Sequence, residues 1–261
     1  MPNKIGVIDS GIGGLNILSK LLNVRPNNNY IYYGDTRHLP YGDKTYDELL
    51  EYASNIIRFL ITEGVNTIVI ACGTLCSTVY SDLVKLFPNI KFINIVDATC
   101  NYLNQSDYKR IGVIATSNTI NSHSFKKRLN KDVIEVASPM LVPVLEDRNK
   151  DKYDYYIDYY LKDMLDIDVL VLGCTHYIIL KDKIKAYLNK PVINMADYIL
   201  EDIPNQNTSS LAMYFSKVDD NLINNVKEII GSSNIILKEL NRKWYYAWIT
   251  RSRNSKKRTF K

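Results

Sequence analysis

Two cysteines follow short apolar runs, one in each half of the chain. Cys72 ends the run 67–72, and Cys174 ends the run 168–174. Short apolar runs of this kind are typical of buried parallel strands, and open α/β sheets form their sites at the carboxyl ends of such strands. A threonine follows each cysteine closely. We therefore expect two thiols, one from each half, to face a single substrate.

Two opposed thiols indicate proton transfer at both faces of one carbon. One cysteine, as a thiolate, takes the α-proton, and the other, as a thiol, delivers a proton to the opposite face, which inverts the stereocentre. The sequence offers no competing metal set, because none of its four cysteines has Cys-x-x-Cys spacing and its three histidines are scattered. Buried cysteine also packs as a small hydrophobic residue, and this is our interpretation of Cys76 and Cys100.

Several polar residues beside these strand ends suit the same chemistry. Asp9 can orient a substrate ammonium or assist one thiol, and it can equally cap a helix. His176 can protonate or hold the second thiol, and it can equally be a hydrogen-bonded core histidine. Four hydroxyl groups at strand ends can bind carboxylates, although strand-end hydroxyls are also common caps; they belong to Ser10, Thr74, Thr116 and Thr175.

Strand and helix patterns alternate along the chain, which predicts parallel sheets. The segment 111–116 repeats the pattern of 5–10 at a shift of 106 residues, and Cys174 repeats Cys72 at a shift of 102. This internal duplication predicts an α/β fold of two similar lobes. Each lobe is a mainly parallel sheet flanked by helices, and the active site lies in the cleft between them.

Loop composition suggests where the lobes are divided. A polar segment at 104–107 is the predicted boundary between the halves, and a helix near 219–230 can cross back onto the first lobe. We therefore predict a first lobe of residues 1–104 and about 205–240. The second lobe is 105–204, and residues 241–261 form a basic, aromatic C-terminal tail.

The positive charge of the chain is confined to this tail. The net charge is +5, but residues 241–261 contain eight Lys and Arg and no acid, so the remainder carries −3. The body therefore offers no electrostatic case for nucleic-acid binding. Within the tail, Trp244 and Trp248 are spaced to share one face of a helix. We prefer a solvated end or tryptophans packed on the body; contact with nucleic acid remains the alternative.

Targeting and nucleotide-binding signals are lacking in the sequence. No apolar run approaches the ~18 residues of a membrane span, and the N-terminus runs into a strand without a signal-peptide core. With its unpaired cysteines, the chain is expected to be cytoplasmic. The glycine-rich turn at 10–14 lacks the G-x-G-x-x-G spacing of a dinucleotide site, so we discount that function.

The motifs at these positions resemble those of a glutamate racemase of the aspartate/glutamate racemase superfamily. The matching stretches cover about residues 4–236 in the family's order. They are Asp9-Ser10-Gly11-Ile12-Gly13-Gly14, Tyr33-Gly34-Asp35, Pro40-Tyr41-Gly42, Ala71-Cys72-x-Thr74, Ala115-Thr116, Val142-Pro143-x-x-Glu146, Gly173-Cys174-Thr175-His176-Tyr177 and Met213-Tyr214-Phe215-Ser216.

The resemblance implies a cofactor-independent and metal-independent racemase that interconverts L- and D-glutamate and supplies D-glutamate for peptidoglycan. It implies Cys72 and Cys174 as the acid/base pair, with three helper residues, Asp9, Glu146 and His176. The residues expected to contact substrate are Asp9, Ser10, Tyr41, Gly42, Gly73, Thr74, Thr116, Thr175 and His176. We also expect a homodimer. Some glutamate racemases bind DNA gyrase, so a gyrase contact through the tail is a second alternative.

One departure from the family pattern bears on the substrate. Gly73 stands where the family has an asparagine that contacts the amino-acid head of the substrate. The loss of this asparagine side chain is expected to leave free space at position 73. His176 after Cys-Thr favours glutamate over aspartate. Gly73 keeps open a racemase for aspartate, for both acids or for a hydantoin, and also a weakly active binding protein on the same scaffold.

Overall fold

The computed structural model contains two separate β-sheets. It describes residues 4–231 and, beyond them, only the backbone of three strands at 237–240, 244–250 and 259–260. The strands are β1 Lys4–Asp9, β2 Asn29–Gly34, β3 Val65–Ile70, β4 Lys91–Asn94, β5 Arg110–Ala115, β6 Asp132–Ala137, β7 Val169–Leu172, β8 Val192–Asn194, β9 Ser210–Phe215, β10 Leu237–Leu240, β11 Trp244–Thr250 and β12 Thr259–Phe260.

The two sheets repeat one strand order. The first runs β10-β11-β9-β2-β1-β3-β4, with β12 paired to β11, and the second runs β6-β5-β7-β8. The order β2-β1-β3-β4 thus recurs as β6-β5-β7-β8, and every pair in these two sets is parallel. The strands that end before Cys72 and Cys174, β3 and β7, hold equivalent places beside the central strands β1 and β5. The predicted fold class is confirmed.

Helices cover both sheets. The central strand β1 is buried along almost its whole length, which is the environment that a parallel strand between helical layers requires. The helices are α1 Gly14–Val24, α2 Tyr46–Thr62, α3 Gly73–Thr78, α4 Tyr80–Leu86, α5 Ile95–Gln105, α6 Ser117–Asn121, α7 Ser124–Arg128, α8 Leu141–Glu146, α9 Tyr153–Leu161, α10 Lys181–Leu188 and α11 Asp220–Ile230.

Several helices begin at a side-chain cap that the sequence supplies. Thr45 and Glu48 form a reciprocal capping box at the start of α2. Thr116 and Asn94 accept backbone N–H groups at the starts of α6 and α5. These caps fix the points at which strands give way to helices.

The C-terminal region contributes to the first sheet. β9 pairs in parallel with β2, and β11 pairs antiparallel with β9. Trp244 and Trp248 lie on β11, so the expectation of a shared helical face is wrong. The other residues of the tail, 241–243, 251–258 and 261, lie outside the described residues. The domain limits given above remain predictions.

The described residues contain neither a membrane-crossing helix nor a metal-binding cluster. No helix in this part of the chain is long and apolar enough to cross a membrane. No group of three or more His, Cys, Asp or Glu residues within it is arranged to hold a metal ion. All four cysteines are free thiols.

Candidate active site

The loops that carry the two cysteines touch one another. Cys72 lies between β3 and α3, and Cys174 lies between β7 and a 3₁₀ turn, Thr175–Leu180. Both side chains are buried, with 4% and 8% of their surface exposed. A Cβ added at Gly73 would overlap the carbonyl oxygen of Gly173. The residues next to the two thiols are thus in backbone-to-backbone contact across the two sheets.

The Cys72 thiol is held in its neutral form by its surroundings. Burial is the main cause that raises its pKa to about 12, and the charge of Asp9 adds to it. The backbone N–H of Leu75 and the hydroxyl of Ser10 interact with the sulfur and oppose this shift. In this state Cys72 is a thiol at neutral pH.

Cys174 lies at the end of a chain of three titratable groups. Its Sγ is 3.8 Å from His176 Nδ1, and His176 Nε2 is 2.6 Å from Glu146 Oε1. Burial by itself lowers the pKa of His176, but hydrogen bonds to Cys174 and Glu146 and the negative charges of these groups outweigh it. The pKa of His176 is therefore raised well above its ordinary value, which favours an imidazolium beside Cys174.

Asp9 holds the turn into α1 and contacts the loop of Cys174. Its Oδ2 accepts the backbone N–H groups of Gly11 and Gly14, at 3.1 and 2.9 Å, so it fixes the turn into α1. The Thr175 hydroxyl donates to its Oδ1 at 3.3 Å. Asp9 is buried, and its charge acts on Cys72. The side chain therefore shapes the loop and also bears on both cysteine loops.

The hydroxyl groups of the two sheets pair with one another. Thr74 Oγ1 and Thr116 Oγ1 are 2.9 Å apart; Thr74 lies in the first turn of α3 and Thr116 caps α6, so each follows a strand of a different sheet. The Tyr41 hydroxyl points elsewhere and donates to the buried carboxylate of Asp35 at 2.6 Å. Tyr41 can therefore offer a substrate only its backbone or its ring.

The structure brings ten of the twelve predicted site residues to one cavity. These ten are Ser10, Tyr41, Gly42, Cys72, Gly73, Thr74, Thr116, Cys174, Thr175 and His176. Asp9 lies behind this wall, against the turn into α1, and Glu146 lines a neighbouring cavity while it holds His176. Asp9 acts on Cys72 through its charge, and Glu146 is connected to Cys174 only through His176.

Three cavity residues were not predicted from the sequence, and the expected room at Gly73 is absent. Leu39, Pro40 and Val142 complete the lining. Pro40 and Val142 stand inside motifs already noted, so the motifs were the available signal; Leu39 had none. At Gly73 the expectation of free space is wrong, because the Gly173 carbonyl occupies the place that a side chain would take.

Comparison with known proteins places this geometry in a family. The family model for Asp/Glu/Hydantoin racemases matches residues 35–202, which is well over half of the chain. The chain belongs to the Asp/Glu/Hydantoin racemase family. The glutamate racemase of Hydrogenobaculum sp. (strain Y04AAS1) is 35% identical to this family member over 244 residues, covering 87% of this chain and 93% of that protein.

Solved structures of the same family share the fold. The glutamate racemase from Aquifex pyrophilus is similar with a TM-score of 0.78 and 32% identity, covering 88% of this chain and 96% of its own. The glutamate racemase of Francisella tularensis subsp. tularensis SCHU S4, in complex with D-glutamate, gives a TM-score of 0.80 at 27% identity, covering 88% and 94%. The predicted racemase fold and enzyme class are confirmed for this family member.

Proposed function

We propose that this protein is a glutamate racemase that interconverts L- and D-glutamate by transferring protons between the α-carbon and two cysteines. The observation that carries the proposal is the pair of buried thiols, Cys72 and Cys174, on loops of two different sheets that touch at Gly73 and Gly173. A carbon held between them is approached from two sides. Inversion at one carbon requires this arrangement.

The two thiols have different surroundings. Cys72 is a thiol, since burial raises its pKa to about 12. Cys174 lies beside a protonated His176, whose positive charge attracts the negative charge of a thiolate. In one direction Cys174, acting as a thiolate, removes the α-proton, and Cys72, acting as a thiol, donates its proton to the opposite face. The reverse direction exchanges the two roles.

The remaining groups bind and orient the amino acid. The hydroxyl groups of Ser10, Thr74 and Thr175 line the cavity and can donate to carboxylate oxygens. The first residues of α3 and of the 3₁₀ turn after Cys174, Gly73 and Thr175, also line this cavity. Asp9 and Glu146 lie behind the cavity wall. Asp9 accepts the Thr175 hydroxyl, and Glu146 pairs with His176.

Circular dichroism of each glutamate enantiomer with the reduced protein tests the function. We expect the ellipticity of L- and of D-glutamate to decay to zero, and we expect Cys72→Ala and Cys174→Ala each to stop the decay. Cys100→Ala is the matched control, because Cys100 is a buried thiol on α5 outside the cavity. Unchanged ellipticity with glutamate and decay with aspartate would move the substrate to aspartate. Silence with both acids would refute racemisation.

The cellular setting follows from this chemistry. D-Glutamate formed by the reaction supplies peptidoglycan precursors, and the free thiols suit a reducing cytoplasm. We also propose a homodimer, on the family resemblance alone, to be checked by light scattering coupled to size exclusion.

Contact of the tail with nucleic acid or DNA gyrase stays a less favoured prediction. A truncated chain that ends near residue 240 and retains any such affinity would contradict it.

A further inference from the structure

Asn118 joins the second sheet to a turn of the first. It lies on α6, directly after the strand β5 and its cap Thr116. Its Nδ2 donates to two backbone carbonyl oxygens, at 3.2 Å to Tyr41 and at 2.8 Å to Lys44. These two residues bracket the 3₁₀ turn Tyr41–Asp43, which forms part of the cavity wall. One side chain therefore bridges the cleft and uses both of its N–H donors.

The hydrogen bond to Tyr41 fixes a peptide plane that lines the cavity. A peptide unit is planar and trans, so its carbonyl and its N–H point in opposite directions. Holding the Tyr41 oxygen toward Asn118 therefore sets the direction of the Gly42 N–H. The turn also lies tightly against α6, because a Cβ added at Gly42 would lie 2.8 Å from the Cβ of Thr116.

The same turn is held on its other side by its own sheet. The Tyr41 hydroxyl donates to Asp35, whose carboxylate also accepts the Ser216 hydroxyl at 2.6 Å. This clamp fixes the ring of Tyr41 but does not reach the peptide between Tyr41 and Gly42. The side chain of Asn118, from the other side of the cleft, donates to the backbone carbonyl oxygens of this turn.

We propose that Asn118 is a positioning residue for the substrate: from the opposite sheet it orients the Tyr41–Gly42 peptide so that the Gly42 N–H can bind a substrate carboxylate. This role rests on the proposed function. It assigns Asn118 to substrate affinity and not to proton transfer, because the Asn118 side chain bonds to the turn and does not line the cavity with the two thiols.

The substitution Asn118→Asp tests the role with almost no change of shape. The aspartate lacks both N–H donors and turns a negative charge toward two carbonyl oxygens. We expect the KM for glutamate to rise about tenfold, as the loss of two hydrogen bonds predicts, while kcat changes by less than about threefold. Without substrate, hydrogen–deuterium exchange of the backbone at 39–46 should become faster. Asn118→Ala repeats the test if the aspartate variant does not fold.

Asn121→Asp is the matched control. Asn121 ends the same helix and is exposed. It should leave KM, kcat and the exchange of 39–46 unchanged. Wild-type activity with an unchanged KM in Asn118→Asp refutes the positioning role alone. A fall in kcat at constant KM also refutes it, and a wild-type protein that does not racemise glutamate refutes the function and this role together.

Discussion

The contact between Gly73 and Gly173 predicts that Gly73→Ala slows the reaction sharply. An added Cβ overlaps the carbonyl oxygen of Gly173. The Cβ is attached rigidly to the main chain and the oxygen is part of it, so neither atom can rotate away. To reach a normal contact distance, the two cysteine loops must separate by about 1 Å. Overpacking of this kind costs about 1–3 kcal/mol. Because displacements of about 1 Å in a reacting geometry can reduce rates by about 10²-fold, we expect kcat to fall by about 10–100-fold.

The assay is the initial rate of ellipticity change with each glutamate enantiomer, beside a thermal melt of the same samples. Gly64→Ala is the control. Gly64 has a φ of 81° with nothing within 4 Å of an added Cβ, so alanine there strains the backbone without touching the site. Gly64→Ala should lower Tm by an amount similar to that of Gly73→Ala, or by more, while its kcat stays at the wild-type value.

Gly73→Asn separates the backbone contact from recognition by a side chain. If the contact decides the rate, the asparagine and alanine variants lose activity alike and keep the wild-type ratio of glutamate to aspartate rates. A changed ratio in Gly73→Asn alone would mean that residue 73 reads the substrate. Full activity in Gly73→Ala would show that the two loops are free to separate, and the argument from close contact would then be wrong.

Three further predictions concern the groups around the thiols. Glu146→Gln removes a charge that helps to raise the pKa of His176, so this pKa should fall. The limb of the kcat/KM pH profile that reports His176 should then move to lower pH. A limb that does not move would show that Glu146 does not influence the pKa of His176. Burial raises the pKa of Cys72 to about 12 from the ordinary ~8.5, so its contribution to the free energy of unfolding is complete below about pH 8.5 and is lost as the pH rises toward 12. In urea titrations, the free energy of unfolding of Cys72→Ala should therefore fall less steeply with rising pH than that of the wild type. An equal fall in both proteins would contradict this. Tyr41→Phe removes one of the three hydrogen-bond partners of the buried Asp35 carboxylate and should reduce the free energy of unfolding by about 0.5–1.5 kcal/mol in the same titrations. An unchanged value would show that Ser216 and His38 suffice.

The sequence predicted the sheets well because their determinants are local. Apolar runs mark the buried parallel strands, and the short repeats at shifts of 106 and 102 residues anticipate the shared strand order. The same reasoning predicted that the residues after β3 and β7 come together where parallel strands end, and the structure places them around one cavity. Chain ends were harder: the pair of tryptophans fitted a helix by spacing, but pairing with β9 decides the conformation of β11.

Contacts across the cleft had no signal in the sequence. Asn118 bonds to backbone carbonyl oxygens, and carbonyl groups are the same at every residue, so no spacing or residue type marks the partner. Asp35 belonged to a motif, but its role as the acceptor for Ser216, 181 residues away in the chain, depends on β2 and β9 being neighbours. Such contacts become visible only when segments that are distant in the chain are placed together, within one sheet for Asp35 and Ser216 and between the two sheets for Asn118.

Gly73 shows why the loss of a side chain cannot be interpreted from sequence alone. A glycine in place of a larger residue either leaves a cavity or allows another part of the chain to approach, and the two outcomes have opposite effects on the site. Here the Gly173 backbone occupies the space. The spacing between the loops that carry the two thiols is therefore set by main-chain contact. Main chain yields less readily than side chains, so this contact limits how far the two cysteine loops can approach each other.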